Sequence, residues 1–249
     1  MRSDYAQIFK RPEAVDKYVD EVYAPGSYSS SVNARQRAYL RRLIRREFPT
    51  QRPVQHDFAC GTGRSIRLLQ GVVRAAHGYD TSAAMLAKAR ESGVPATLHE
   101  VAETGPVPAP AASDGPALVT MFRLLLNVPE PVRDRALEFA ASVLPTRQAG
   151  VLLIENHGNR QSLRHLSAGR RADDPWFSEL SHDEIRALLA RHGFELIGAR
   201  AFALCPAGAY RRGYLRPLAK LVDAVAPRIP LLWRWGTDVV YVARRVPAS

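Results

Sequence analysis

Short apolar runs along the chain alternate with stretches in which apolar residues return every three or four positions. The runs predict strands over 54–59, 75–79, 96–101, 117–121, 150–154, 194–203 and 238–244. Helical spacing fills most of the intervals. One helix opens at Ser65-Ile66-Arg67-Leu68-Leu69. A second is capped by Ser82, buries Met85 and Leu86, and stops at Gly93. A third, over 131–144, turns Val132, Ala136, Phe139, Ala140 and Val143 inward. A fourth starts at the capping box Ser181-His182-Asp183-Glu184 and runs through Ile185, Leu188 and Leu189 to Gly193. Ahead of the first strand, helices are expected over 12–22 and 31–48. The latter carries Leu40, Leu43, Ile44 and Phe48 on one face and Arg35, Arg37, Arg41, Arg42, Arg45 and Arg46 on another. The Pro- and Gly-rich stretch 104–116 is a loop.

This alternation predicts an α/β protein: a doubly wound, mostly parallel sheet with helices on both faces. An N-terminal helical segment over 1–48 precedes a core of 49–203 and 237–246. Residues 204–236 form a helical insertion before the last strand, too long for a hairpin loop. At 249 residues the chain reads as a single domain.

Composition narrows the setting. A hydrophobic content of 46% supports a sizeable core. Two cysteines, Cys60 and Cys205, make no disulfide framework, and no Cys/His spacing suits zinc. No apolar signal region follows Met1, and no apolar run reaches the roughly 18 residues that span a bilayer. The expectation is a cytoplasmic protein, and the richness in Ala, Arg and Pro reads as a high-GC bacterial coding sequence. The net charge of +11 favours acidic partners, whether nucleic acid, anionic lipid or phosphorylated substrates, and equally serves plain solubility.

The chemistry is concentrated at Asp57-Phe58-Ala59-Cys60-Gly61-Thr62-Gly63-Arg64, where a strand enters a glycine turn and a helix begins. Glycines let a backbone approach a ligand closely. A pyrophosphate-binding turn needs a third glycine where Ile66 stands, and Asp57 would repel the phosphates. An ammonium group would be attracted instead. Asp80 lies 23 residues after Asp57, at the end of the next strand, where a carboxylate can bind two vicinal ribose hydroxyls.

This stretch resembles motif I of the class I S-adenosylmethionine (SAM)-dependent methyltransferases, D/E-x-G-x-G-x-G, with Ala59 at the first glycine. The resemblance covers about 50–203 and resumes at 237. It implies a Rossmann-like sheet of order 3-2-1-4-5-7-6 with an antiparallel last strand, and SAM as cofactor. On that basis Asp57, Ala59, Gly61 and Gly63 would hold the amino-acid end of SAM. Asp80, Thr81 and Met85 follow the family's pattern of an acid, a small polar cap and Met-Leu. Ala102 and Glu103 stand at the adenine position, with Val101 where the family often has an acid. Phe122 completes the cofactor set. Tyr28, Arg123 and Asn127 are the candidate substrate-side residues; many relatives carry His where Asn127 stands.

A hydroxyl acceptor benefits from a base working near neutral pH, and His157, beyond the fifth strand, is the candidate, oriented by Glu155 or Asn156. His165 is a weaker one, and His99 and His182 read as structural. No metal is expected. The leading expectation is an O-methyltransferase acting on a small molecule, sugar or glycolipid. The alternatives are an RNA methyltransferase, for which no base-flipping motif is found, and a non-catalytic partner subunit. Residues 205–236 pair arginines and a lysine with an apolar stripe (Leu215, Leu218, Leu221, Val222, Val225) followed by Trp233 and Trp235. They suit either a lid packed on the domain or peripheral contact with an anionic membrane.

Overall fold

A computed structural model describes residues 28–112, 114–167, 179–205, 207–226, 229 and 232–247. The expected helix over 12–22 and Tyr5, Phe9, Tyr18, Tyr23, Arg170, Arg171 and Arg228 lie outside them. The first described helix, α1 (Tyr28–Glu47), buries Val32, Leu40, Leu43 and Ile44. Then follow β1 (Val54–Phe58), α2 (Arg64–Leu69), β2 (Ala75–Asp80), α3 (Ala83–Glu91) and β3 (Thr97–Glu100). The second half contains β4 (Ala117–Phe122), α4 (Glu130–Val143), β5 (Gly150–Asn156), α5 (Leu163–Ser167), α6 (His182–Arg191) and β6 (Phe194–Ala203). Two short helices, α7 (Ala207–Arg211) and α8 (Arg216–Val225), precede β7 (Asp238–Arg245).

The seven strands pair in the order β3-β2-β1-β4-β5-β7-β6, the order the resemblance implied. The first five strands are parallel to one another, and β7 runs antiparallel to both β5 and β6. Alternate residues of the central strands feed two layers. On one face Phe58, Val119, Met121, Leu152, Ile154 and Tyr241 meet Phe139 of α4 and Ile185 and Leu189 of α6. On the other, Leu118, Val151, Leu153, Val240 and Val242 meet Leu40, Leu43 and Ile44 of α1 and Leu68 and Leu69 of α2. The strands β1, β4 and β5 are buried along their whole length, as a covered parallel sheet demands.

Local signals are realised where the sequence placed them. The Ser82 hydroxyl accepts from the Met85 N–H, and Ser181 and Glu184 form both halves of the capping box. Gly150 has φ +154, and a Cβ there would fall 1.7 Å from the Ala117 carbonyl oxygen, so β5 can start beside β4 only with glycine. The helix α5 is too short for periodicity to reveal.

In the insertion the two tryptophans part company. Trp233 turns inward and meets the His182 ring edge-on at 4.6 Å, while Trp235 stays 41% exposed. His182 is tied to the Tyr241 hydroxyl at 2.6 Å and to the Arg234 carbonyl, the structural role expected of it.

Candidate active site

The order 3-2-1-4 reverses the direction of winding between β1 and β4, and ligands of open α/β sheets bind at the carboxyl ends of strands at such a point. A cavity of about 180 Å³ lies there. Of the cofactor-side residues expected from sequence, Asp57, Ala59, Gly61, Asp80, Thr81, Met85 and Phe122 line it, and so do Arg123 and Asn127. The structure thus brings together residues from 57 to 127 in one pocket.

Each acid is held by the local fold. Asp57, fully within β1, accepts a 2.6 Å bond from the Thr120 hydroxyl of the neighbouring strand. Burial pushes its carboxyl up to about 7, against the hydrogen bonds from Ser65 and Thr120. Asp80 accepts the Gly61 N–H at 2.7 Å and the Ser82 N–H at 2.9 Å, which closes the turn over the end of β2. Burial raises its carboxyl as well. A buried and a half-buried acid facing one cavity create a demand for a cation and for hydroxyl donors.

The glycines divide the work. At Gly61 (φ +53) an added Cβ would meet only the Met85 sulfur, at 4.0 Å, so the backbone presents open space to a ligand. At Gly63 (φ +79) a Cβ would come within 2.7 Å of Val94. Gly63 does not line the cavity; it lets α2 pack against the end of α3. Ala59 holds the turn at φ +57 without being glycine.

Other expected residues are placed elsewhere. Ala102 and Glu103 are exposed and do not line the cavity; the Glu103 carbonyl accepts from Arg135. The Tyr28 hydroxyl donates to Asp238 at 2.6 Å, which docks the start of α1 on β7 outside the cavity lining. His165 pairs with Glu179. His99 lies in an aromatic row with Tyr79 and His77 across β2 and β3. Among the described residues no cluster of His, Cys, Asp and Glu could hold a metal.

Sequence reasoning missed a buried polar network behind the glycine turn. Arg64, the first residue of α2, reaches the Glu155 carboxylate at 2.7 Å and also bonds Asn33 and Gln36 of α1. Gln36 in turn donates to Glu155 at 2.5 Å. Burial alone would raise the Glu155 carboxyl, but the guanidinium groups of Arg64 and Arg123 hold it down at about 2. The only signal was Arg64 directly after Gly63, with a glutamate at the end of β5.

Arg123 follows β4 with φ +59, a left-handed conformation rare for a side chain of its size. The Asn127 amide donates to its carbonyl at 2.7 Å and secures the bend. His157, just past β5, is half-buried, and burial together with the Arg123 guanidinium beside it pushes the imidazole down to about 3. Without an acceptor the ring is therefore neutral. Its Nδ1 is buried without a hydrogen-bond partner, so neither Glu155 nor Asn156 orients it through that nitrogen. Asn156 bonds the Leu180 carbonyl and the Gly158 N–H instead.

A doubly wound sheet of this order, with paired acids at the ends of β1 and β2 and an open glycine turn between them, defines a nucleoside-binding transferase fold. The methyltransferase-domain family model matches residues 32–199, and the chain belongs to that family. No curated protein matches the chain by sequence. Solved structures show the shared fold. Magnesium protoporphyrin IX methyltransferase (ChlM) from Synechocystis PCC 6803, solved with S-adenosylhomocysteine (SAH), is 14% identical, with 95% of this chain and 100% of that one covered and a TM-score of 0.58. The Haloferax volcanii protein solved in complex with the Trm112 methyltransferase activator is 14% identical, with both chains fully covered and a TM-score of 0.59. The [4+2]-cyclase SpnF is 16% identical, with 98% of each chain covered and a TM-score of 0.59. The protein is a SAM-dependent methyltransferase, and its cavity offers two carboxylates, Asp57 and Asp80, and at Gly61 a backbone open to close approach.

If Asp57 meets the SAM ammonium, cofactor affinity is expected to depend on pH. A carboxyl at about 7 is largely protonated in the ligand-free protein at pH 6, and an ammonium prefers the anion. Calorimetry is expected to show SAM binding tightening by about tenfold from pH 6 to pH 8, with proton release at the lower pH. Affinity independent of pH over that interval would remove Asp57 from the ammonium site.

Proposed function

We propose that the protein transfers the methyl group of SAM to a hydroxyl of a small-molecule, sugar or glycolipid acceptor. When bound, SAM supplies a methyl group activated by its sulfonium. The chain's own part is to bind and align, since an in-line displacement gains most from positioning. Asp57, Asp80 and the open turn at Gly61 act on the cofactor side, and Arg123 and Asn127 face the acceptor side of the same cavity. The hydroxyl reading rests on His157, a neutral imidazole just past β5 that does not itself line the cavity and is coupled to it through Arg123, which does. It can take a proton from a hydroxyl as the new bond forms. An acceptor that brings a negative group against Arg123 offsets the repulsion that depresses the imidazole and makes it a stronger base. Phosphate- or carboxylate-bearing sugars and lipid-linked sugars meet that requirement.

The test is transfer of radiolabelled methyl from SAM to a panel of hydroxyl, amine and RNA acceptors. His157→Gln is expected to lower kcat about a hundredfold while leaving the Kd for SAM unchanged. Label found on amines or RNA alone would overturn the hydroxyl reading, and an unaltered kcat would remove His157 from it.

A further inference from the structure

Helix α8 is attached to the domain by its polar residue, with its leucines left outside. Ala219 and Asp223 are its buried positions. The Asp223 carboxylate accepts the N–H groups of Leu204 at 2.8 Å and Cys205 at 2.9 Å and the Tyr210 hydroxyl at 2.6 Å. Arg35 of α1 approaches it at 3.5 Å. On another side of the helix, Leu218, Leu221, Val222 and Val225 form a stripe at i, i+3, i+4 and i+7, with Leu218 58% and Leu221 61% exposed. Tyr214, one turn earlier, extends the stripe and is 77% exposed. A contiguous apolar stripe facing water marks a docking surface.

The surrounding charge selects the partner. Arg212, Lys220 and Arg234 of this segment are exposed, and Asp223, its one acid between 205 and 236, is consumed in the buried clasp. An apolar helix face with basic flanks and with Tyr and Trp at its margins matches the boundary of an anionic bilayer. We propose that this face of α8, with Tyr214 and Trp235, seats the protein on an anionic membrane surface. Among the described residues no helix is long and apolar enough to cross a membrane, so the attachment is peripheral. Tyr210, which clasps Asp223, packs edge-on against Tyr28 at 5.3 Å, so the helix is tied to the start of α1. The proposal does not rest on the identity of the acceptor.

Vesicle flotation tests it. The protein is expected to float at low salt with phosphatidylcholine vesicles containing about one third phosphatidylglycerol and to stay down with phosphatidylcholine alone. Raising the salt to about 0.5 M should release most of it. Leu218→Ser with Leu221→Ser should cut the bound fraction about tenfold with melting temperature and SAM affinity unchanged, because both side chains are exposed. Lys220→Glu should weaken the salt-sensitive part in a background with its apolar stripe intact. Three results would each overturn the proposal: no flotation at low salt, flotation unaffected by the serine pair, or a dimer in solution that the serine pair dissociates.

Discussion

Arg64→Ala is expected to cost about 3–5 kcal/mol of stability, because it strands a buried carboxylate without its cation. Glu155 is wholly buried, and its charge is held by Arg64 at 2.7 Å. Its carboxyl lies below its unfolded value, so this stabilisation is present at neutral pH and is lost as pH falls through about 2. Denaturant titration would read the loss. Arg64→Met combined with Glu155→Leu should recover most of it, since a buried ion pair replaced by apolar side chains is often neutral. A single variant that loses less than about 1 kcal/mol would show that water or Arg123 already balances Glu155. SAM affinity should also fall in the single variant, as Arg64 lines the cavity and starts the helix behind the glycine turn.

Asp80→Ala is expected to weaken SAM binding by about 1–3 kcal/mol, up to about a hundredfold. The structure adds a stability component: both Asp80 oxygens already accept backbone N–H groups, so the melting temperature should drop as well. The two effects separate with an analogue of SAH lacking the ribose hydroxyls. Native protein should bind the analogue less tightly than SAH, and Asp80→Ala should not distinguish the two. If the variant discriminates as well as the native protein, Asp80 shapes the turn and leaves the ribose alone.

The sheet was legible because each element announces itself locally. Apolar runs, the caps at Ser82 and Ser181 and the stops at Gly93 and Gly193 lie within a few residues of what they determine. The pairing of Asp57 with Asp80 was legible for the same reason, as one helix and one strand separate them. The Gln36–Arg64–Glu155 network was not, because its members are brought together across the chain by tertiary packing and follow no period. The protonation of His157 depends on burial and then on Arg123, which sits at a backbone bend that no propensity favours. The inward turn of Trp233 was hidden likewise, since its partner His182 lies 51 residues earlier.

Ala59 has a meaning for how such proteins are found and how they change. It occupies a left-handed conformation, at φ +57, where the family pattern has glycine. A non-glycine residue there carries roughly 1 kcal/mol of backbone strain, and the rest of the domain tolerates it. The shape of the turn is therefore enforced from outside, by the Cys60 N–H on the Tyr79 carbonyl and by Asp80 on Gly61. Glycine at this position is thus not needed for this chain to shape its pocket. A motif search that insists on it would pass over this chain, whereas one keyed to acids 23 residues apart at the strand ends would not.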